Sequence, residues 1–147
     1  MYSIAFLWVG DDTTIPCCLV DSIRLIMGNS VEIIQLTDQK TPLVRGVTSV
    51  QRLDLSPLIM VARLQAYSQV KASENFTFFC DADSLFISPL ALHFRDADIL
   101  LSKRIEDGWL NDKYPEFYPE FSGKRMVEAM PFLFGAIATR GDQGEFF

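Results

Sequence analysis

The sequence has few of the residues that most often build metal, disulfide or redox centres. Its 147 residues include one histidine, His93, and three cysteines. Cys17 and Cys18 are adjacent and Cys80 stands far from both, so there is no Cys-x-x-Cys pair and no disulfide framework. We expect three reduced, buried thiols, and we expect His93 to be a surface residue rather than a metal ligand.

The sequence also lacks a membrane-spanning stretch and a secretory signal. The apolar run at residues 4–9 has no basic flank before it and is followed by two aspartates. No stretch approaches the roughly 20 apolar residues that cross a bilayer. We therefore expect a cytoplasmic protein.

A third feature that the sequence lacks is a basic run. The formal net charge is −6, and without a cluster of Lys and Arg the electrostatic footprint of nucleic-acid binding is missing. An acidic protein that binds an anionic nucleotide needs a local cation, which a divalent metal would supply. The hydrophobic fraction of 49% is ordinary for a globular protein, and the length predicts one domain, residues 1–147.

Strand and helix signals alternate along the first half of the chain, and further strand signals follow. Predicted strands are short apolar runs between turn residues, and predicted helices repeat apolar residues every three or four positions. The predicted strands are 4–9, 31–38, 47–53, 75–80, 97–102 and 132–139, and the predicted helices are 15–27 and 56–70. This order predicts an α/β fold with a mainly parallel central sheet and helices on both faces.

The second predicted helix has a recognisable start and a predicted buried face. Ser56 is a suitable N-cap, and Pro57 suits the first helical position. The apolar positions that mark one face of this helix are Leu58, Val61, Leu64 and Tyr67.

An Asp-x-Asp pair, Asp81 and Asp83, directly follows the clearest predicted strand, residues 75–80. Open α/β sheets bind ligands outside the carboxyl ends of their strands, where this pair is expected to lie. Carboxylates are hard oxygen ligands that suit Mg²⁺ or Mn²⁺, and such an ion neutralises a departing diphosphate. Bare Asp-x-Asp pairs are also common in solvated turns, so the surrounding segment has to decide.

That segment, FTFFCDADSLFISPL, resembles the nucleotide-diphosphosugar transferases of the Rossmann-like GT-A fold, notably the glycogenin and lipopolysaccharide galactosyltransferase kind. The resemblance is strong over residues 76–90 and diffuse over residues 3–140. It implies a glycosyltransferase that moves a sugar from a nucleoside-diphosphate donor to an unknown glycan, lipid or protein acceptor. It also implies that Asp81 and Asp83 bind Mn²⁺ or Mg²⁺ beside the donor diphosphate.

The resemblance implies further donor-binding residues. The loop after the first strand, at Val9, Gly10 and Asp11, would border the base, and Thr37 and Asp38 would approach the base or ribose. Arg63, on the helix before the motif strand, would contact the diphosphate or the donor sugar.

Simpler interpretations of the same residues stay open. Asp11 and Asp12 suit the capping of the helix that follows them, and Thr37-Asp38 suits a turn. Arg63 could be a solvated helix residue.

Trp8 is expected in the core, whereas Trp109 is equally suited to a sugar ring and to the core. A second Asp-x-Asp, Asp96 and Asp98, precedes a strand, so we assign it to capping or solvent.

The sequence departs from the family in three places. The family supplies a further metal ligand, often His, from its C-terminal half, but the single histidine here, His93, comes only ten residues after Asp83 and is not expected to be that ligand. Leu133 stands where the family has a polar residue, and the C-terminal acceptor-binding part is expected to be absent. These departures favour an alternative, a non-catalytic or truncated nucleotide-binding module that self-associates through an uncovered apolar surface. A haloacid-dehalogenase-type phosphohydrolase with Asp81 as nucleophile is the less favoured alternative, because its motif belongs on the first strand.

Overall fold

The structure is a computed structural model that describes residues 2–70, 76–92, 97–103, 125, 128 and 132–141. Strands and helices alternate as the sequence predicts. The elements are β1 (Ser3–Leu7), α1 (Thr14–Met27), β2 (Glu32–Thr37), β3 (Ser49–Arg52), α2 (Ile59–Ser68), β4 (Thr77–Cys80), β5 (Ile99–Lys103) and β6 (Phe132–Thr139).

Across the described residues, the strands form one six-stranded sheet in the order β3-β2-β1-β4-β6-β5. The four strands β3, β2, β1 and β4 run parallel to one another. β6 runs antiparallel to both β4 and β5. The predicted α/β architecture with a mainly parallel sheet is therefore confirmed.

β1 lies inside this sheet and is buried along its whole length. Its side chains alternate between the two faces, as the period of a strand requires. Ile4 and Phe6 pack with α1 in one apolar cluster, and Ala5 and Leu7 pack with α2 in another. Helices therefore cover both faces of the sheet, which explains why β1 is a continuous apolar run.

α1 begins within one residue of its predicted start and ends where predicted. Pro16 lies in the first turn and is buried. Gly28, with φ 61°, ends the helix, and its N–H donates to the carbonyl of Arg24. The cysteines of α1 correct one expectation, because Cys18 is exposed and only Cys80 is buried, although all three are free as predicted.

α2 differs from its prediction in both its start and its buried face. The helix begins at Ile59 because Leu58 has an extended backbone (φ −85°, ψ 110°), so Ser56 is not the N-cap. The Ser56 hydroxyl instead accepts the N–H of Leu58 at 3.2 Å.

The residues of α2 that face the sheet are Ala62, Ala66 and Tyr67. Leu58 and Val61, which were predicted to be buried, are 67% and 42% exposed. The two alanines let the helix approach the sheet closely. Tyr67 fills the remaining space by packing against Phe79, with ring centroids 4.5 Å apart and ring planes tilted by 34°.

Parallel strands end at a common edge, so β1, β2 and β4 deliver their following loops to the same side of the sheet. Neither of the helices that the structure describes is long and apolar enough to cross a bilayer.

Candidate functional site

The Asp-x-Asp turn follows β4 at the carboxyl edge of the sheet. The N–H of Asp81 continues the ladder by donating to Gly135 of β6 at 3.1 Å, and its carbonyl accepts the N–H of Ser84 at 3.1 Å. Ala82 between the two aspartates is buried in the α1 cluster. The turn therefore anchors its middle residue in the core and leaves both carboxylates on the rim of a pocket.

This pocket has a volume of about 320 Å³ and opens between the ends of β1 and β4. Its wall combines two acidic side chains, one basic side chain and several apolar ones. The described residues that line it are Leu7, Trp8, Val9, Ile15, Ile59, Arg63, Asp81, Ala82 and Asp83. The mixture suits a ligand with both an anionic part and an apolar or aromatic part.

Arg63 of α2 forms an ion pair with Asp81 inside the pocket. Its Nη2 lies 2.8 Å from Asp81 Oδ1, and the two side chains are 22% and 35% exposed. This close contact does not have the geometry of a hydrogen bond. Asp81 Oδ1 is buried and accepts no hydrogen bond from any described residue. This oxygen therefore has a charged neighbour but no hydrogen-bond donor among the described residues. The predicted solvated Arg63 is not what the structure shows.

The floor beneath the aspartates is apolar and uncharged. Burial raises the pKa of the Cys80 thiol to about 12, and the neighbouring Asp81 and Asp83 carboxylates add to that shift. Cys80 therefore stays a neutral thiol at neutral pH. Burial also raises the pKa of Tyr67, whose hydroxyl donates to the Cys80 carbonyl at 3.4 Å.

The loop after β1 reaches the pocket at one residue of the three implied. Val9 lines the wall, whereas Gly10 and Asp11 do not. The Gly10 N–H donates to the Thr41 hydroxyl at 2.9 Å, which ties this loop to the one after β2. Asp12 accepts the N–H of Thr14, the first residue of α1, at 2.8 Å. The N-cap of α1 is Thr13, whose side chain makes no capping hydrogen bond, so capping of this helix by Asp11 or Asp12 stays a prediction.

Thr37 and Asp38 serve the loop after β2 and do not line the pocket. The Thr37 hydroxyl is buried and donates to the Trp8 carbonyl at 2.7 Å. Asp38 Oδ1 accepts the N–H groups of Lys40 and Thr41, which lower the pKa of its carboxyl group. These hydrogen bonds fit the turn interpretation, and ligand binding by Thr37 and Asp38 stays a prediction.

Trp8 was predicted to lie in the core, yet it lies beyond the end of β1 and only partly packs on the α1 cluster. It lines the pocket, and its buried indole N–H has no hydrogen-bond partner among the described residues. Sequence reasoning missed this pocket residue because the apolar run seemed to continue past Leu7. Ile15 and Ile59, at the starts of α1 and α2, were also missed, because the apolar periodicity of a helix does not show what its first turn contacts.

Other residues singled out from the sequence lie away from the pocket or outside the described residues. Asp98 precedes β5 at the opposite edge of the sheet, where its carboxylate pairs with Arg140 at 3.2 Å. His93, Asp96 and Trp109 lie outside the described residues. Within the described ranges, no group of three or more His, Cys, Asp or Glu side chains is placed to hold a metal ion.

Comparison with solved structures shows which known fold the chain shares. The galactosyltransferase LgtC, in complex with donor and acceptor sugar analogues, superposes with a TM-score of 0.62 at 14% identity over 99% of this chain. An active-site mutant of LgtC superposes with a TM-score of 0.59 at 13% identity over 94% of this chain. The chain shares the fold of these glycosyltransferases.

The apo form of the glycosyltransferase GlyE from Streptococcus pneumoniae also superposes, with a TM-score of 0.56 at 13% identity over 99% of this chain. The chain spans 60% of the length of LgtC and 35% of that of GlyE. No protein-family model and no curated protein matches the sequence. In this fold three strands, β1 to β3, precede β4, the strand that leads into Asp81, whereas the phosphohydrolase motif belongs on the first strand. This order disfavours the phosphohydrolase alternative.

Proposed function

We propose that this chain binds a nucleoside-diphosphate sugar as the donor of a glycosyltransferase, at the pocket that holds Asp81 and Asp83. The supporting observation is that both carboxylates and Arg63 line one pocket at the carboxyl edge of a sheet with the LgtC fold. Transfer of the sugar from this donor to a glycan, lipid or protein acceptor is part of the same proposal. The LgtC structure holds donor and acceptor sugar analogues, which supports this division of substrates.

The residues of the pocket fit a divalent ion such as Mn²⁺ or Mg²⁺. Asp81 and Asp83 offer hard oxygen ligands, and Asp81 Oδ1 is buried without a hydrogen-bond donor. Two carboxylates leave coordination positions for phosphate oxygens and water, the arrangement that Mg²⁺ usually adopts with nucleotides. The ion, when bound, would neutralise negative charge on the departing diphosphate.

The protein's own residues would bind and orient the donor. Arg63 lies in the pocket with 22% of its side chain exposed, so its guanidinium can reach a phosphate oxygen without a large rearrangement. Trp8 and Val9 give the wall an aromatic and an apolar surface, which suits the base. Ile15 and Ile59 add two apolar side chains to the lining of the same pocket.

Calorimetric titration with UDP, with and without Mn²⁺, tests the proposal. We expect metal-dependent binding by the native chain and its loss in Asp83→Ala. Asp98→Ala is a matched control, since it removes a carboxylate at the opposite edge of the sheet and should bind as the native chain does. If the folded native chain binds UDP neither with nor without Mn²⁺, the proposal is wrong.

Transfer is tested separately from binding. A UDP-sugar that binds but is neither hydrolysed nor transferred would support the non-catalytic module instead. The predicted self-association stays a prediction, which light scattering on the purified chain would test.

A further inference from the structure

The Asp81 carboxylate lies directly against the backbone of Gly135 on β6. A β-carbon added at Gly135 would lie 2.9 Å from Asp81 Cγ and closer still to Oδ2, separations that real β-carbons essentially never show. The φ angle of Gly135 is not in the left-handed region, so the backbone conformation does not require glycine. Glycine is required instead because the Asp81 carboxylate occupies the space that a β-carbon would need.

The strand that carries Gly135 is irregular at this position. Leu101 and Ser102 are adjacent on β5, yet they pair with Ile137 and Leu133 of β6. Residues 134–136 therefore have no partners on β5 and form a bulge. Bulges bend a strand and re-aim its neighbours, and they are frequent beside active sites. The glycine is the central residue of this bulge.

On its other side, the bulge stays attached to the Asp-x-Asp turn. The Gly135 carbonyl accepts the N–H of Asp81 at 3.1 Å, so the two backbones are held together. Across the carboxylate, Arg63 Nη2 lies 2.8 Å from Oδ1. The Asp81 carboxylate is thus enclosed between a backbone without a side chain and a guanidinium group.

We propose that Gly135 is a positioning residue for Asp81. The absence of a side chain in the bulge lets the carboxylate take the orientation that brings it to the pocket rim beside Asp83. The metal-binding consequence rests on the function proposed above. The steric coupling between the two residues does not, because it depends only on the space between them.

The first test is a titration with Mn²⁺ alone, followed through the electron paramagnetic resonance signal of the free ion. Changing a residue that orients a metal ligand typically weakens metal binding about 10- to 100-fold. We expect that loss in Gly135→Ala, because the added methyl group would displace the Asp81 carboxylate. Gly28→Ala is the matched control. Its added β-carbon meets nothing within 4 Å, although φ 61° disfavours alanine, so stability should fall while Mn²⁺ affinity stays native.

The second test is a double-mutant cycle on the melting temperature, with Gly135→Ala, Asp81→Ala and the double variant. Asp81→Ala removes the atoms that an added β-carbon would meet, so we expect Gly135→Ala to lower the melting temperature much less in that background. Equal effects in both backgrounds would overturn the proposal.

The two tests separate the two proposals. If the native chain does not bind Mn²⁺, the proposed metal site is wrong, and the cycle alone decides whether Gly135 positions Asp81. If the native chain binds Mn²⁺ and Gly135→Ala binds it equally well, Gly135 does not position a metal ligand, and the inference fails.

Discussion

Replacing Arg63 by methionine tests the central electrostatic feature of the pocket. The substitution keeps an unbranched apolar stem but removes the guanidinium charge that lies 2.8 Å from Asp81 Oδ1. The native ion pair is partly exposed, at 22% and 35%, so solvent screens much of its Coulomb attraction. A net loss of about 1 kcal/mol in the free energy of unfolding is expected, toward the upper end for exposed pairs.

The effect on ligand binding is expected to be larger than the effect on stability. A hydrogen bond to a charged group contributes about 1.5–3 kcal/mol, so losing the Arg63 contact with a phosphate should weaken UDP binding about 10- to 100-fold. Arg63→Lys keeps the charge but not the forked donor geometry, so its loss should be intermediate.

Calorimetry with UDP and Mn²⁺ measures the affinity, and urea unfolding measures the stability of the same preparations. Arg45→Met is the matched control, since Arg45 forms a comparable 3.0 Å pair with Asp21 on the exposed side of α1. An Arg63→Met variant that binds UDP as tightly as the native chain would show that Arg63 serves only the fold.

Further predictions concern the helix, the loops and the pocket wall. Ala66→Leu should destabilise the chain by about 1–3 kcal/mol in urea unfolding, because the added atoms meet the sheet. Leu58→Ser should change stability by less than about 0.5 kcal/mol, because this side chain is exposed. Asp38 has a lowered pKa, so its contribution is present above its unfolded-state pKa and is lost as pH falls through the folded-state pKa. Asp38→Asn should therefore lower the melting temperature at neutral pH but not in strong acid. Trp8→Phe keeps an aromatic ring but removes the indole N–H, which has no hydrogen-bond partner among the described residues, so we expect weaker UDP binding if this donor contacts the ligand.

Local pattern was enough to predict most elements of this fold. The alternation of apolar strands and amphipathic helices predicted all six described strands and both helices, because the period of a pattern depends only on neighbours along the chain. The Asp-x-Asp turn was placed at the carboxyl edge for the same reason, since a continuous apolar strand leads directly into it. The resemblance of residues 76–90 to sugar-nucleotide transferases then indicated the fold that the solved structures share.

Tertiary packing decided which residues face the pocket and which only hold its loops. From the sequence, Thr37 and Asp38 suited both a ligand site and a turn. Only the folded loops show their hydrogen bonds to Trp8, Lys40 and Thr41. Gly135 lies 54 residues after Asp81, so nothing in the local pattern connects them. Strand pairing brings them into contact, and the size of one carboxylate then requires glycine.

The buried face of α2 shows the same limit. Leu58 and Val61 are apolar, yet the sheet selects Ala62 and Ala66, because small residues let the helix backbone approach closely enough for Tyr67 to pack. Hydrophobicity along the chain therefore determined that a helix and an apolar strand would meet. Which atoms meet depends on the shape of the space between them, and that space exists only once both elements are in place.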